Sequence, residues 1–323
     1  MNHILVTGGA GFIGSNFIHY LAKYYGADVT IHNVDALTYA GNLANLDNLA
    51  ATNYHFHHVS ITDRDGLNRV FRHPIDCVVH FAAESHVDRS IHDSGPFMTT
   101  NVLGTQCLLD VAMAHSVKQF IHVSTDEVYG STQTGYFTET SPLNPSSPYA
   151  ASKTSSDLVA LAYYKTFGFP VRVTRCSNNY GPFQFPEKLI PLMINRALAN
   201  QPLPVYGNGS NVRDWLHVTD HCRAIHAIMT SGSDGEIYNI GGHGERDNLA
   251  IVNTILSALN KPQSLINFVA DRLGHDWRYA IDYTKIQRDC NWSPSIDFEF
   301  GIQQTINWYQ TNTAWLDTTG AHA

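Results

Sequence analysis

An α/β fold with a doubly wound parallel sheet is predicted by three observations. Short β-branched runs alternate with longer helix-periodic segments. A glycine-rich turn joins the first run to the first helix. After about residue 176 the alternation loosens into turns such as Y-G-P, Y-G-N-G and I-G-G-H-G, with clustered prolines. The expected strands, in order, are Ile4–Thr7, Val29–Val34, Tyr54–Val59, Cys77–Phe81, Phe120–Ser124 and Val171–Arg175. Helical periodicity covers Ser15–Tyr25, Asn101–His115 and Tyr149–Phe167. β-α-β alternation of this kind puts helices on both faces of the sheet. No linker, tandem repeat or low-complexity stretch separates a second lobe, so that lobe is expected to be interleaved. Residues 1–176 plus about 212–243 are assigned to a dinucleotide-binding, Rossmann-type domain. Residues about 177–211 plus 244–323 are assigned to a smaller C-terminal substrate-binding domain, and the final D-T-T-G-A-H-A reads as a frayed tail.

Composition narrows the function. A chain of 323 residues, 43% apolar and 15% charged, can bury a large core and form two lobes. No apolar run reaches the ~18 residues of a membrane span, and the strand-like start leaves no room for a signal peptide. A net charge of -8 argues against nucleic-acid binding. Cys77, Cys107, Cys176, Cys222 and Cys290 form no C-x-x-C pair and fit reduced thiols in a cytoplasmic protein. The densest histidine run is Y-H-F-H-H-V. His55 and His57 share one strand face there, and no carboxylate or thiol completes a shell. They read as solvated strand surface, and no metal is expected.

The first turn is T-G-G-A-G-F-I-G, with Gly8, Gly11 and Gly14 leading into a helix. Without Cβ atoms, such a turn lets backbone N–H groups and the helix dipole approach a pyrophosphate. Asp35 ends the second strand, where an acid accepts both ribose hydroxyls of NAD and repels the 2′-phosphate of NADP. NAD is therefore the expected cofactor. Further along, S-P-Y-A-A-S-K places Tyr149 and Lys153 four residues apart on one helix face. A free phenol is only ~0.1% ionised at pH 7. Lys153 and a positive nicotinamide ring are expected to lower the pKa of Tyr149, so that it takes a proton from a sugar hydroxyl as hydride leaves.

The G-x-x-G-x-x-G spacing and the Y-x-x-x-K pair, with Ser124 and Thr125 ending an intervening strand, resemble the extended short-chain dehydrogenase/reductase family. The resemblance implies that Thr125, Tyr149 and Lys153 form the catalytic set. It also implies cofactor contacts from Gly8, Gly11, Phe12, Ile13, Gly14, Asp35, Ala36, Thr38, Gly41, Ser60, Ile61, Ala82, Ala83, Thr100, Ser124, Tyr149 and Lys153.

One stretch, S-T-D-E-V-Y-G, has more acid than an epimerase of this family needs. An epimerase only oxidises and reduces, whereas a dehydratase must also remove a C5 proton and protonate the C6 hydroxyl. Neighbouring carboxyls in different environments can divide those tasks. T-D-E at 125–127 resembles the sugar-nucleotide 4,6-dehydratases within the family, as do A-A-E-S-H-V-D-R-S, R-C-S-N-N-Y-G-P-F-Q-F-P-E-K-L-I-P-L, Y-G-N-G-S-N-V-R-D-W and D-R-L-G-H-D-W-R-Y-A-I-D. The resemblance implies a nucleotide-sugar substrate, dTDP-glucose, with Asp126 as acid toward C6, Glu127 as base at C5 and Thr125 bonded to the sugar. It places Ser85, Asn178, Glu187, Lys188, Leu189, Pro204, Tyr206, Arg213, Asn248, Arg272 and His275 around that substrate. Arg213 and Arg272 suit a diphosphate, and Tyr206 a flat base. Without the resemblance, Arg213 beside Asp214 reads as an ordinary ion pair. The family also implies a homodimer built on two long helices per subunit. Departures from its pattern are Ser60 where an acid is usual, Ala36, and Leu273 and Trp277 at the nucleotide end. A UDP-glucose 4,6-dehydratase and a UDP-sugar 4-epimerase remain as alternatives. A non-enzymatic NAD-binding protein is disfavoured because the whole catalytic set is present.

Overall fold

The structure, a computed structural model, describes residues 1–49 and 53–320. Its twelve described strands are β1 (His3–Thr7), β2 (Thr30–Asp35), β3 (Tyr54–His58), β4 (Cys77–His80), β5 (Gln119–Thr125), β6 (Val171–Cys176), β7 (Asn178–Tyr180), β8 (Leu203–Tyr206), β9 (Val212–His217), β10 (Ile237–Ile240), β11 (Glu245–Asp247) and β12 (Ile266–Val269). Seven of them form an all-parallel sheet in the order β10-β6-β5-β4-β1-β2-β3. The order reverses between β1 and β4. At such a switch point the connections leave in opposite directions and open a crevice beyond the carboxyl ends of the strands.

Alternation along the strands builds two cores. Ile4, Val6, Val79, Ile121 and Val123 pack beneath Phe17, Ile18 and Leu21 of helix Phe12–Tyr25 and Ile225 and Ile228 of helix Val218–Ser231. Leu5, Val34, Val78, Phe120 and Val171 face the other way, toward helices Arg64–Val70, Thr105–Ala114 and Pro148–Phe167. A third core joins helices Leu189–Leu198, Asn248–Ala258 and Phe298–Thr311 to the β8–β12 pair. The strands of the small sheet β11-β9-β7 alternate in the chain with elements of the third core: β7 precedes helix Leu189–Leu198, β9 follows β8, and β11 precedes helix Asn248–Ala258. Strand 212–217 belongs to that small sheet, and the chain re-enters the large sheet's layers with helix Val218–Ser231 and β10.

Two local expectations change. The segment 101–115 is not uniformly α-helical: Met98–Gly104 is a π-helical turn and the α-helix runs Thr105–Ala114. Thr105 Oγ1 donates to the Asn101 carbonyl at 2.7 Å, and the Asn101 amide is tied to Glu84 O and Ser152 Oγ. These side-chain bonds hold the wider turn, a form common beside functional sites. The histidines of β3 are also not a plain solvated face. The register His32↔His55 places the buried His32 of β2 beside them. Stacked rings of His3, His32, His55 and His73 complete a column at the sheet edge. Burial and the neighbouring imidazoles pull His32 down to about 3. At the C-terminus, Thr313–Thr318 is helical and buries Trp315, whose indole donates to Asn45 Oδ1 at 2.7 Å. Of the expected frayed tail, residues 321–323 lie outside the described residues.

Candidate active site

β5 is buried along its whole length and ends at Thr125. Thr125 Oγ1 then accepts from Glu127 N at 3.3 Å and starts the turn Asp126–Tyr129. Helix Pro148–Phe167 begins at the same level. Ser147 caps it by accepting from Ala150 N at 3.1 Å, and Pro148 occupies its first turn. Tyr149 and Lys153 follow on the buried face. Lys153 Nζ donates to the Val123 carbonyl at 2.9 Å.

The protein groups around Tyr149 oppose its ionisation. Burial and the Glu127 carboxylate push its phenol well above the ordinary value, opposed by a hydrogen bond with Thr125. Lys153 is itself pulled down by burial, and its contact is to a backbone carbonyl. The chain's own groups therefore hold Tyr149 neutral, and any lowering must come from a bound cation.

The acids differ from each other. Asp126 is 2% exposed, and its Oδ2 has no hydrogen-bond partner. Burial, then Glu127 and Asp214, push it well above the carboxylate range. Glu127 is also raised by burial, but Arg272, Arg213 and Lys188 oppose the rise. One acid is biased toward the protonated form, and its neighbour faces three cations that favour charge.

Two adjoining cavities meet at this point. The first has a volume of about 340 Å³ and runs from the glycine turn to Tyr149 and Lys153. Every residue expected to touch the dinucleotide lines it. Gly8 has φ +69°, and a Cβ there would lie 2.7 Å from Ala82 N. A Cβ on Gly14 would lie 2.2 Å from the Gly8 carbonyl oxygen. The turn thus aims the start of helix Phe12–Tyr25 into the cavity. At the far rim, Asp35 accepts from Ala10 N at 2.9 Å and Leu37 N at 2.8 Å. Helix N-terminus, close backbone and rim carboxylate fit the pyrophosphate and ribose of NAD. Ser60 also lines this wall and bonds to Thr62.

The second cavity, about 230 Å³, is lined by Leu189, Pro204, Tyr206, Arg213, Asn248, Arg272 and His275. Ser85, Glu127, Asn178, Glu187 and Lys188 border both cavities, and Thr125 borders the first. Asp126 lines neither and sits behind the wall. Buried atoms without a protein partner include Asn178 Oδ1, Asn248 Oδ1 and Arg272 Nε. Unpaired polar atoms in a cleft are costly unless a ligand completes them. The Arg213–Asp214 ion pair that the two residue types alone would suggest is not formed. Arg213 donates to the carbonyls of Val212 and Asp276 and stacks over Tyr279, while Asp214 accepts from Gly242 N and Gly244 N. Leu273 and Trp277 are exposed and line neither cavity.

Several residues escaped sequence reasoning. Tyr39 Oη donates to Glu187 Oε1 at 3.0 Å, and Arg89 lies 3.6 Å above its ring. Asp88 meets Arg272 at 3.6 Å and Tyr206 at 3.4 Å. Gln184 borders both cavities with a buried, unpaired Oε1. Asp88 and Gln184 fall inside the quoted motif stretches, but Tyr39 has no local signal.

The family model described as GDP-mannose 4,6 dehydratase matches residues 5–305. A dTDP-glucose 4,6-dehydratase of Actinoplanes is 52% identical, covering 97% of this chain and 99% of that protein. Among solved structures, dTDP-glucose 4,6-dehydratase from Streptomyces venezuelae, with NAD and TYD bound, superposes with a TM-score of 0.95 at 50% identity, covering 98% and 99% of the two chains. The Bacillus anthracis dTDP-glucose 4,6-dehydratase in complex with NAD gives 0.92 at 49%, covering 99% and 100%.

Proposed function

The chain belongs to the family described as GDP-mannose 4,6 dehydratase, within the extended short-chain dehydrogenases/reductases, and on that premise we infer that it is an NAD-dependent hydro-lyase acting on dTDP-glucose. The product is dTDP-4-keto-6-deoxyglucose, with one water released. The observation that carries this reading is the acid pair Asp126–Glu127, of which Glu127 borders both cavities and faces three cations while Asp126 lies buried beside it, its pKa raised by burial and by Glu127.

Bound NAD supplies a hydride acceptor for C4, a hydride donor for C6 and a positive charge that favours the Tyr149 phenolate. Tyr149 takes the C4 hydroxyl proton, with Thr125 bonded to it and to the sugar. Glu127 removes the C5 proton, which the new C4 ketone has made acidic. Asp126 protonates the C6 hydroxyl, and water leaves. Asp126 lines neither cavity, so its side chain must turn toward the substrate for that step. Lys188 donates to the Ser85 carbonyl at 2.8 Å and joins the two cavity walls. Arg213 and Arg272 bind the diphosphate, and Tyr206 with His275 flanks the base.

The cavity lined by the glycine turn and the cavity lined by Leu189, Pro204 and Asn248 support a dinucleotide lobe built on the large sheet and a nucleotide-sugar lobe built on the third core. Leu103 (60% exposed) on the π-helical turn, with Leu158 (54%) and Phe167 (59%) on helix Pro148–Phe167, supports a homodimer through the helices covering this sheet face. Five buried free thiols support a reducing, cytoplasmic setting, and among the described residues no helix is long and apolar enough to cross a membrane. Turnover of dTDP-, UDP-, GDP- and CDP-hexoses by purified protein, with product masses recorded, tests the assignment. A dTDP-linked product lighter by one water is expected. Appearance of UDP-galactose from UDP-glucose would instead establish an epimerase.

A further inference from the structure

The histidine column at the sheet edge has no part in the chemistry above. Asp35, three residues along β2 from His32, reaches the cofactor cavity, so His32 lies about 10 Å back along the strand. We propose that His32, His57 and His73 form a binding site for a divalent transition cation of the zinc type. Among the described residues, their ligand nitrogens lie within 4.8 Å of one another. His32 Nδ1 and His57 Nε2 are 3.2 Å apart. Two nitrogens bound to tetrahedral zinc at about 2.0–2.1 Å are separated by about 3.3–3.4 Å. The cation therefore takes the place of the proton now shared by these two rings, with almost no movement of either strand.

The third ligand must close further, and it is the one free to do so. His73 is exposed on the turn after helix Arg64–Val70, its ring centroid 4.6 Å from that of His32. Side-chain rotation supplies the closure. The fourth position falls to water or to His55, whose ring stacks 5.2 Å from His32.

A further contact distinguishes this group from chance neighbours. His32 Nε2 lies 3.1 Å from His3 Nδ1. With Nδ1 on the metal, the Nε2–H of His32 donates to His3, the outer bond that fixes the tautomer of a metal-bound imidazole. The donor set is all imidazole, which suits Zn²⁺, Cu²⁺ or Ni²⁺ and not Mg²⁺ or Ca²⁺. His57 and His73 leave a path from solvent. The bound ion would clip edge strand β3 to β2 and to the turn entering β4.

The test is a titration of tag-free protein with Zn²⁺ alone against a chromogenic chelator at neutral pH. One equivalent should bind, and His73→Ala and His57→Ala should each weaken binding at least tenfold. His3→Ala should weaken it about 10- to 100-fold through the lost outer contact, while His92→Ala should match the parent. Because His73 is exposed, His73→Ala should melt with the parent in metal-free buffer, and Zn²⁺ should raise only the parent's Tm. Absence of a stoichiometric site, or His73→Ala binding like the parent, would overturn the proposal.

Discussion

Asp126 and Glu127 are adjacent in sequence and opposite in circumstance. Replacing Glu127 with Gln removes the proposed C5 base and leaves Tyr149 and Lys153 in place. Dehydration by that variant should fall about 10²–10⁴-fold, while absorbance near 340 nm still reports reduced cofactor on adding dTDP-glucose. Unimpaired dehydration would take Glu127 out of its role. Asp126→Asn tests the other half. Burial raises the folded pKa of Asp126, so its protonated form favours folding, and that stability is lost as pH rises from the unfolded value through the folded pKa. The amide cannot ionise. The variant should therefore lose activity yet show a Tm at pH 8 equal to or above the parent's. A lower Tm would mean that Asp126 is charged and stabilising. These two residues were legible because T-D-E is contiguous. Their different surroundings were not, because these come from Asp214, Arg213, Arg272 and Lys188, all distant in the chain.

At the scale of the element, short motifs were legible where one strand-to-helix junction carries the function. The turn Gly8–Gly14 is such a junction, and the start of helix Pro148–Phe167 likewise places Tyr149 and Lys153 from one short segment. Gly14→Ala places a Cβ 2.2 Å from the Gly8 carbonyl, a backbone atom that cannot move aside. Purified Gly14→Ala should retain little NAD, measured by release on denaturation, and cofactor content equal to the parent's would contradict the reading of this turn. Elements defined by pairing were not legible. Nothing in Y-H-F-H-H-V reveals His32 beside it, because the register of β2 on β3 brings them together. Likewise, Tyr39 meets Glu187 across 148 positions, joining the loop after β2 to the segment before helix Leu189–Leu198.

For the whole molecule, buried neutral histidines set the response to acid. His217 is held down to about 4 and His221 to about 3, each chiefly by burial. An imidazole free in the unfolded chain has a pKa of about 6.5, so unfolding takes up protons. The stability these groups contribute is present above about pH 6.5 and is lost as pH falls toward their folded values. Tm should fall steadily between pH 7 and 4, and less steeply in His221→Gln; parallel slopes would exclude His221. The parallel sheet and its two faces were legible because apolar runs alternate with helical periods. The third core was less so. Its strands are short, its helices come from three separated segments, and Trp315 seals it from the far end of the chain. The most direct test of the whole account is one turnover experiment with dTDP-glucose in D₂O. On the proposed mechanism, Glu127 removes the C5 proton, hydride moves from C4 to C6, and solvent refills C5. The account predicts a dTDP-linked product that has lost one water and carries one deuterium, at C5. Water loss without deuterium, or an epimer with no water lost, would contradict it.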